Sequence, residues 1–227
     1  MEINCDELTV TEVNRALRAL KASDRVNVIH PRGRDNLGVA LRTPAAVHFK
    51  GSVGAYCGGM NNGASITIEG NAGNGLGENS EAGSIVVTGS VSTCAGASMR
   101  GGTITVMGDA GNRLGISMKG GTLILAGDAG PMAGFMIQAG SLIIRGDAGR
   151  GLGDSMYEGE IYVGGCLGEL GNDAVLTEMD EGEREALAAS LTAAGVARAA
   201  DWKKIVAGRQ LWHFRGTHEE LAIWMKL

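Results

Sequence analysis

The sequence predicts an all-β protein: a right-handed, single-stranded parallel β-helix of about seven 19-residue coils with short helical N- and C-terminal flanks. Three observations predict it. Glycine recurs at Gly51, Gly70, Gly89, Gly108, Gly127, Gly146 and Gly165, every step being 19 residues. Each unit closes on two apolar residues spaced by two. Aromatic residues are scarce, three each of Trp, Tyr and Phe among 227, so rings cannot fill a large globular core.

Within the repeat, a second glycine stands three residues after the first at Gly54, Gly73, Gly111, Gly130, Gly149 and Gly168, with Ser92 as the exception. A third stands seven after it at Gly58, Gly77, Gly96, Gly115, Gly134 and Gly153, and the array stops where Asn172 replaces the next. Glycines belong where the chain turns with positive φ, or where stacked backbones leave no room for a Cβ. The closing pairs run Ile66/Ile68, Ile85/Val87, Ile104/Val106, Leu123/Leu125, Leu142/Ile144 and Ile161/Val163. Spacing of two places both side chains on one strand face, the inner one. A further apolar position, ten residues after the opening glycine, holds Met99, Met118, Ile137 and Met156, with Asn61 and Ser80 departing from it. Stacked about 4.8 Å apart, the coils make a rod a little over roughly 30 Å long. Parallel crossovers favour the right-handed coil.

Three segments follow: an N-terminal cap over 1–37, the β-helix over 38–172 and a tail over 173–227. Residues 9–21 read as a helix, with Thr9 and Glu12 forming a capping box and Val10, Val13, Leu17 and Leu20 on one face. Pro31, Gly33 and Pro44 mark loop and short strand. Val47 to Phe49 match the strand of a coil before the first glycine, so the array is expected to start near residue 38. Residues 177–195 read as a second helix stopped by Gly195. Asp201 to Gly208 read as a short helix or turn. Two of the three tryptophans, Trp212 and Trp224, sit in the last stretch, where aromatics outside a core suggest docking.

Composition narrows function. The net charge is −5 with both signs interspersed, which gives no footprint for nucleic acid or an anionic membrane. Cys5, Cys57, Cys94 and Cys166 form no CxxC or CxxH pair, so free thiols in a reducing cytoplasm are expected, and no metal site in this chain. The N-terminus lacks a signal-peptide pattern, and no stretch reaches the roughly 20 apolar residues of a membrane span.

Side chains with potential chemistry resolve into repeat positions. Asp109, Asp128 and Asp147 share the slot after the opening glycine with Ser52, Asn71 and Ser90. A cation ladder is one reading; acceptors for backbone N–H groups is the plainer one. Met99, Met118 and Met156 stack with Ile137 as a core ladder rather than a cofactor lining. The glycine triplets lack the helix and lysine of a phosphate loop. His30, His48, His213 and His218 show no ligand spacing. A hexapeptide-repeat acyltransferase would need an 18-residue coil of hexads, which is absent. Candidate partner contacts are the irregular first coils, with Tyr56, Cys57, Met60, Asn61 and Asn79, together with Trp212 and Trp224.

The G-x-x-G-x-x-x-G unit closing on GG-x-I-x-V resembles the GXGXG repeat of the C-terminal domain of glutamate synthase large subunits. It is also similar to the GXGXG-repeat subunit of the formylmethanofuran dehydrogenase family, which shares that domain. The wording of residues 51–70, 111–121 and 133–165 most resembles the stand-alone GXGXG subunit of N-methylglutamate synthase, an enzyme of methylamine metabolism. That resemblance implies a non-catalytic structural subunit of a hetero-oligomer, holding no cofactor itself. Its partners would be a glutamine amidotransferase-like subunit and a synthase-type subunit with FMN and an iron–sulfur cluster. A split glutamate synthase, or a formylmethanofuran dehydrogenase or formyltransferase/hydrolase complex, is the alternative setting.

Overall fold

The computed structural model describes residues 1–208. It is a parallel β-solenoid whose strands form one eleven-stranded sheet. In chain order the elements are β1 (Glu2–Asn4), α1 (Val10–Arg18), β2 (Arg25–Ile29), β3 (Ala46–Lys50), β4 (Asn62–Ile68), β5 (Ala82–Val87), β6 (Thr103–Val106), β7 (Lys119–Leu125), β8 (Ala139–Ile144), β9 (Glu160–Val163), β10 (Ala174–Thr177), α2 (Glu181–Ala194) and β11 (Lys203–Ala207). From β3 to β9 the register advances by one repeat per strand, Val47 beside Ile66, Ile85, Ile104, Leu123, Leu142 and Ile161. A second ladder of single bridges joins Val53, Ala72, Val91, Ala110, Ala129, Ala148 and Leu167.

Between those two sides the chain turns through a corner in which every second residue is left-handed. In the coil of Gly108 these are Arg113 (φ 58°), Gly115 (φ 67°) and Ser117 (φ 54°). Their amides are not idle. Arg113 N–H donates to Pro131 O in the next coil, Gly115 N–H to Ala95 O in the previous one, and Ser117 N–H to Phe135 O in the next. Coil-to-coil hydrogen bonds thus offset the roughly 1–2 kcal/mol that a left-handed non-glycine residue costs. The middle residue must be glycine for a further reason: its missing side chain would point at the core.

The core is a set of stacked columns. The Met99, Met118, Ile137 and Met156 column is fully buried, as are the closing pairs. Asn61, which breaks the apolar rule, is buried too. It donates from Nδ2 to Ala64 O (2.9 Å) and Ala82 O (3.1 Å) and accepts from Ala64 N (3.1 Å), so its polar groups are satisfied.

The aspartate slot is a ladder of acceptors. Asp128 N–H donates to Asp109 Oδ1 (2.9 Å), Asp147 N–H to Asp128 Oδ1 (2.7 Å) and Cys166 N–H to Asp147 Oδ1 (2.7 Å). Ser52, Asn71 and Ser90 serve the coils below in the same way. The acceptor therefore serves the next coil rather than its own turn. This also explains the opening glycines. A Cβ on Gly127 would meet the Asp109 carboxylate and stand 2.6 Å from Gly108 O.

Both ends of the rod differ from the simple reading. The regular corner already begins upstream of residue 38: Asn36, Gly38 and Ala40 are left-handed, and Asn36 N–H donates to Ala55 O. A complete coil therefore starts at Pro31, and β1 and β2 extend the parallel sheet further still. The array is not legible there because its first two glycine positions hold Pro31 and Arg34, although Gly38 keeps the corner, and because its loops are longer, the step from Val26 to Val47 spanning 21 residues. Helix α1 keeps its capping box, Thr9 N–H to Glu12 Oε2 (2.9 Å) and Glu12 N–H to Thr9 Oγ1 (3.3 Å). It buries Val13 and Leu17, and Asn14 ties it to the first corner by accepting from Gly38 N–H (2.8 Å).

Within residues 201–208, Lys203–Ala207 form strand β11, not the helix or turn expected from sequence. The physical cause is the open edge of β9, whose unpaired N–H and C=O groups need a partner. β11 fills it antiparallel, Ile205 opposite Ile161, and β10 pairs along its other side. Ile205 is fully buried there.

Candidate interaction surfaces

The irregular first coils place the predicted contact residues on two sides of the wall. Tyr56 and Met60 occupy left-handed corner positions and point outward, 48% and 52% exposed. The Tyr56 ring lies over Gly75, close enough that a Cβ there would stand 2.8 Å from it, with the Glu78 carboxylate at 3.2 Å from the same point. Asn79 is half-buried at the next corner and donates its N–H to Ala97 O (2.9 Å). Cys57 and Asn61 face inward and are buried, so they are core residues and not partner contacts. The corner decides this, because the residue directly after each outward left-handed position points to the core: Cys57 after Tyr56 and Asn61 after Met60, as Leu114 after Arg113 and Met118 after Ser117. Burial drives the Cys57 thiol pKa far upward, and it stays a neutral thiol. The repeat glycines Gly51, Gly70, Gly89, Gly108, Gly127, Gly146 and Gly165 are structural, each Cβ direction being blocked by the coil before it. Trp212 and Trp224 lie outside the described residues.

A second surface escapes the sequence reading. The strands carry an outward column that reads His48, Thr67, Val86 and Thr105, then Ile124, Ile143 and Tyr162. Helix α2 lies across the apolar half of it. At 14 residues it is about 21 Å long, enough for four strand spacings of about 4.8 Å. Leu187 and Leu191 of α2, with Met179 and Val196, bury Ile124, Ile143 and Tyr162 in a separate small core. The signal is present in sequence: strands apolar at three consecutive residues are covered on both faces.

An ion cluster fixes the helix. The Lys204 ammonium, almost wholly buried, reaches Glu160 Oε1 (2.7 Å) and the Glu183 carboxylate in the first turn of α2. Burial alone would lower the Lys204 pKa, but its bonds to Glu160 and Glu183 carry it above the ordinary lysine value. Glu183 is held below the usual carboxylate range by the Lys204 hydrogen bond and then by the Asp180 backbone. Tyr162 Oη donates to Glu160 Oε2 (2.9 Å), and burial first, then that carboxylate, raises its pKa. An open groove runs beside α2 over Ser84, Val86, Thr103 and Thr105. Among the described residues no group of three or more His, Cys, Asp or Glu could hold a metal ion, and no helix is long and apolar enough to cross a membrane.

No family model matches the chain. A stretch of 59 residues, 25% of the chain, is 39% identical to Protein GlxC of Rhizobium meliloti (strain 1021). The match spans only about a quarter of that relative's length, 26%. Among solved structures the chain is similar to one from the formyltransferase/hydrolase complex (FhcABCD) of Methylorubrum extorquens, crystallised with methylofuran. The two are 29% identical with a TM-score of 0.51, over 67% of this chain and 68% of that one. That neighbour is part of a multi-subunit complex.

Proposed function

We propose that this chain is a non-catalytic structural subunit of a hetero-oligomeric enzyme, of the N-methylglutamate synthase type. The observation that carries the subunit reading is its likeness, in both sequence and fold, to a chain of a multi-subunit complex. What supports the absence of catalysis here is that the repeated side chains have structural employment. The aspartates bind backbone amides, the methionines fill the core and the glycines make room for neighbouring coils. The N-methylglutamate assignment rests on the resemblance of residues 51–70, 111–121 and 133–165 to that subunit type. Under it, the partners are an amidotransferase-like subunit and a synthase-type subunit that carries FMN and an iron–sulfur cluster. The solved neighbour favours a second reading, the corresponding subunit of a formyltransferase/hydrolase complex. Purifying the tagged chain from its native cells separates the two. Co-eluting flavin absorbance and N-methylglutamate formation from methylamine and glutamate support the first. A flavin-free complex with formyl-transfer activity supports the second. Activity from the chain alone sinks both.

A further inference from the structure

Resting on the subunit reading, we propose that the corner face of the coils spanning residues 108–145 docks a partner protein through an apolar patch rimmed by unpaired cations. The partner surface it fits is apolar and bordered by carboxylates. Ile116 and Phe135 occupy the same corner position in adjacent coils, in register through Ser117 N–H to Phe135 O (2.8 Å). Both are half-buried. Arg113 and Met132 stand three residues before them in each coil. The equivalent pair of positions converges in an earlier coil, where Glu78 and the Tyr56 ring meet over Gly75. Pro131 and Met136 extend the same half-exposed strip. None of these side chains belongs to the core, which Leu114, Met118, Ala133 and Ile137 fill from the inward positions.

Charge defines the occupant. Arg100, Arg113, Lys119 and Arg150 are exposed along this strip, and none has an ion-pair partner among the described residues. Asp154, which stands at the Phe135 position in the next coil, is engaged by Ser155 Oγ (2.7 Å) and Asn172 Nδ2 (3.0 Å). The exposed aspartates of these coils, Asp109, Asp128 and Asp147, each accept a backbone N–H of the next coil, whereas the four cations have no ion-pair partner among the described residues. An apolar centre with a charged rim is the anatomy of a protein interface, and rim cations call for anionic counterparts. A lipid surface fits less well, because an inserting residue has to project, and Ile116 and Phe135 are half-buried.

The test uses the complex purified through a tag on this chain. Zero-length carbodiimide coupling should join Lys119 to an Asp or Glu of a different subunit, and Lys119→Arg should abolish that link. Phe135→Asp should lower the recovered partner at least tenfold, and Arg113→Glu should do so in low salt, while both free variants melt like the parent. Glu185→Lys, on the exposed side of α2, should leave recovery unchanged. Full partner retention by both Phe135→Asp and Arg113→Glu overturns the proposal while leaving the subunit reading intact. Coupling of Lys119 to a second copy of this chain also overturns it. So does binding of the free chain to phosphatidylserine–phosphatidylcholine vesicles that Phe135→Asp abolishes. If the parent brings down no other chain, the subunit reading falls first and the proposal with it.

Discussion

Replacing Gly115 by valine tests the stacking at an inward-facing corner position. Gly115 sits at φ +67° in a middle coil, and a Cβ there would stand 2.9 Å from Met118 Sδ and 3.6 Å from Leu142 Cδ2. Two costs add. A β-branched residue in the left-handed region costs about 1–2 kcal/mol. Overpacking against the Met118 column costs about 1–3 kcal/mol more, since the buried sulfur has little space to yield. The expected loss is therefore about 2–5 kcal/mol, a large part of the stability of an ordinary domain. Conformation alone is not decisive, because Arg113 and Ser117 survive at φ 58° and 54° with side chains directed outward. Gly115→Ala should accordingly fall between parent and Gly115→Val. Denaturant unfolding followed by far-UV circular dichroism reads the difference. A Gly115→Val chain that unfolds at the parent's midpoint would refute both the inward direction and the crowding of this column.

Three further outcomes follow from the same geometry. Met118→Ala should cost about 2–5 kcal/mol as a fully buried core truncation, measured by urea midpoint; a neutral result would return the methionine column to the surface. Thiol labelling should proceed in the order Cys166, then Cys94, with Cys57 and Cys5 reacting only on unfolding; early modification of Cys57 would contradict its inward placement. The anchoring of α2 should depend on pH at both extremes. The depressed Glu183 pKa means its contribution is present above the unfolded value near about 4.3 and is lost as pH falls through the folded value. The raised Lys204 pKa means its contribution is complete below about 10.4 and is lost as pH rises through the folded value. Hydrogen exchange should then show α2 opening in acid before β6 to β8 do, and uniform loss across all elements would argue against the ion cluster as its anchor.

The repeat alone determined the coil, its length and the inner columns, because a period of 19 with fixed glycines leaves few ways to stack. Local chemistry likewise settled α1, through the Thr9–Glu12 capping box, and the stop of α2 at Gly195, whereas α2 starts at Glu181 rather than residue 177, behind the Asp180–Glu183 capping box, with Ala174–Thr177 in β10. Legibility failed where the partner lies far away in sequence. Residues 203–207 became a strand because β9 offered an open edge, and nothing in Lys203 to Ala207 announces that edge. Cys57 and Tyr56 are neighbours in sequence, yet only the alternating corner assigns one to the core and the other to solvent. The outward column of Ile124, Ile143 and Tyr162 gains meaning only once α2 folds back across it, and the Lys204, Glu160 and Glu183 cluster exists only after that return. What neighbouring residues can satisfy was written in the sequence; what required distant segments to meet was decided by the tertiary structure.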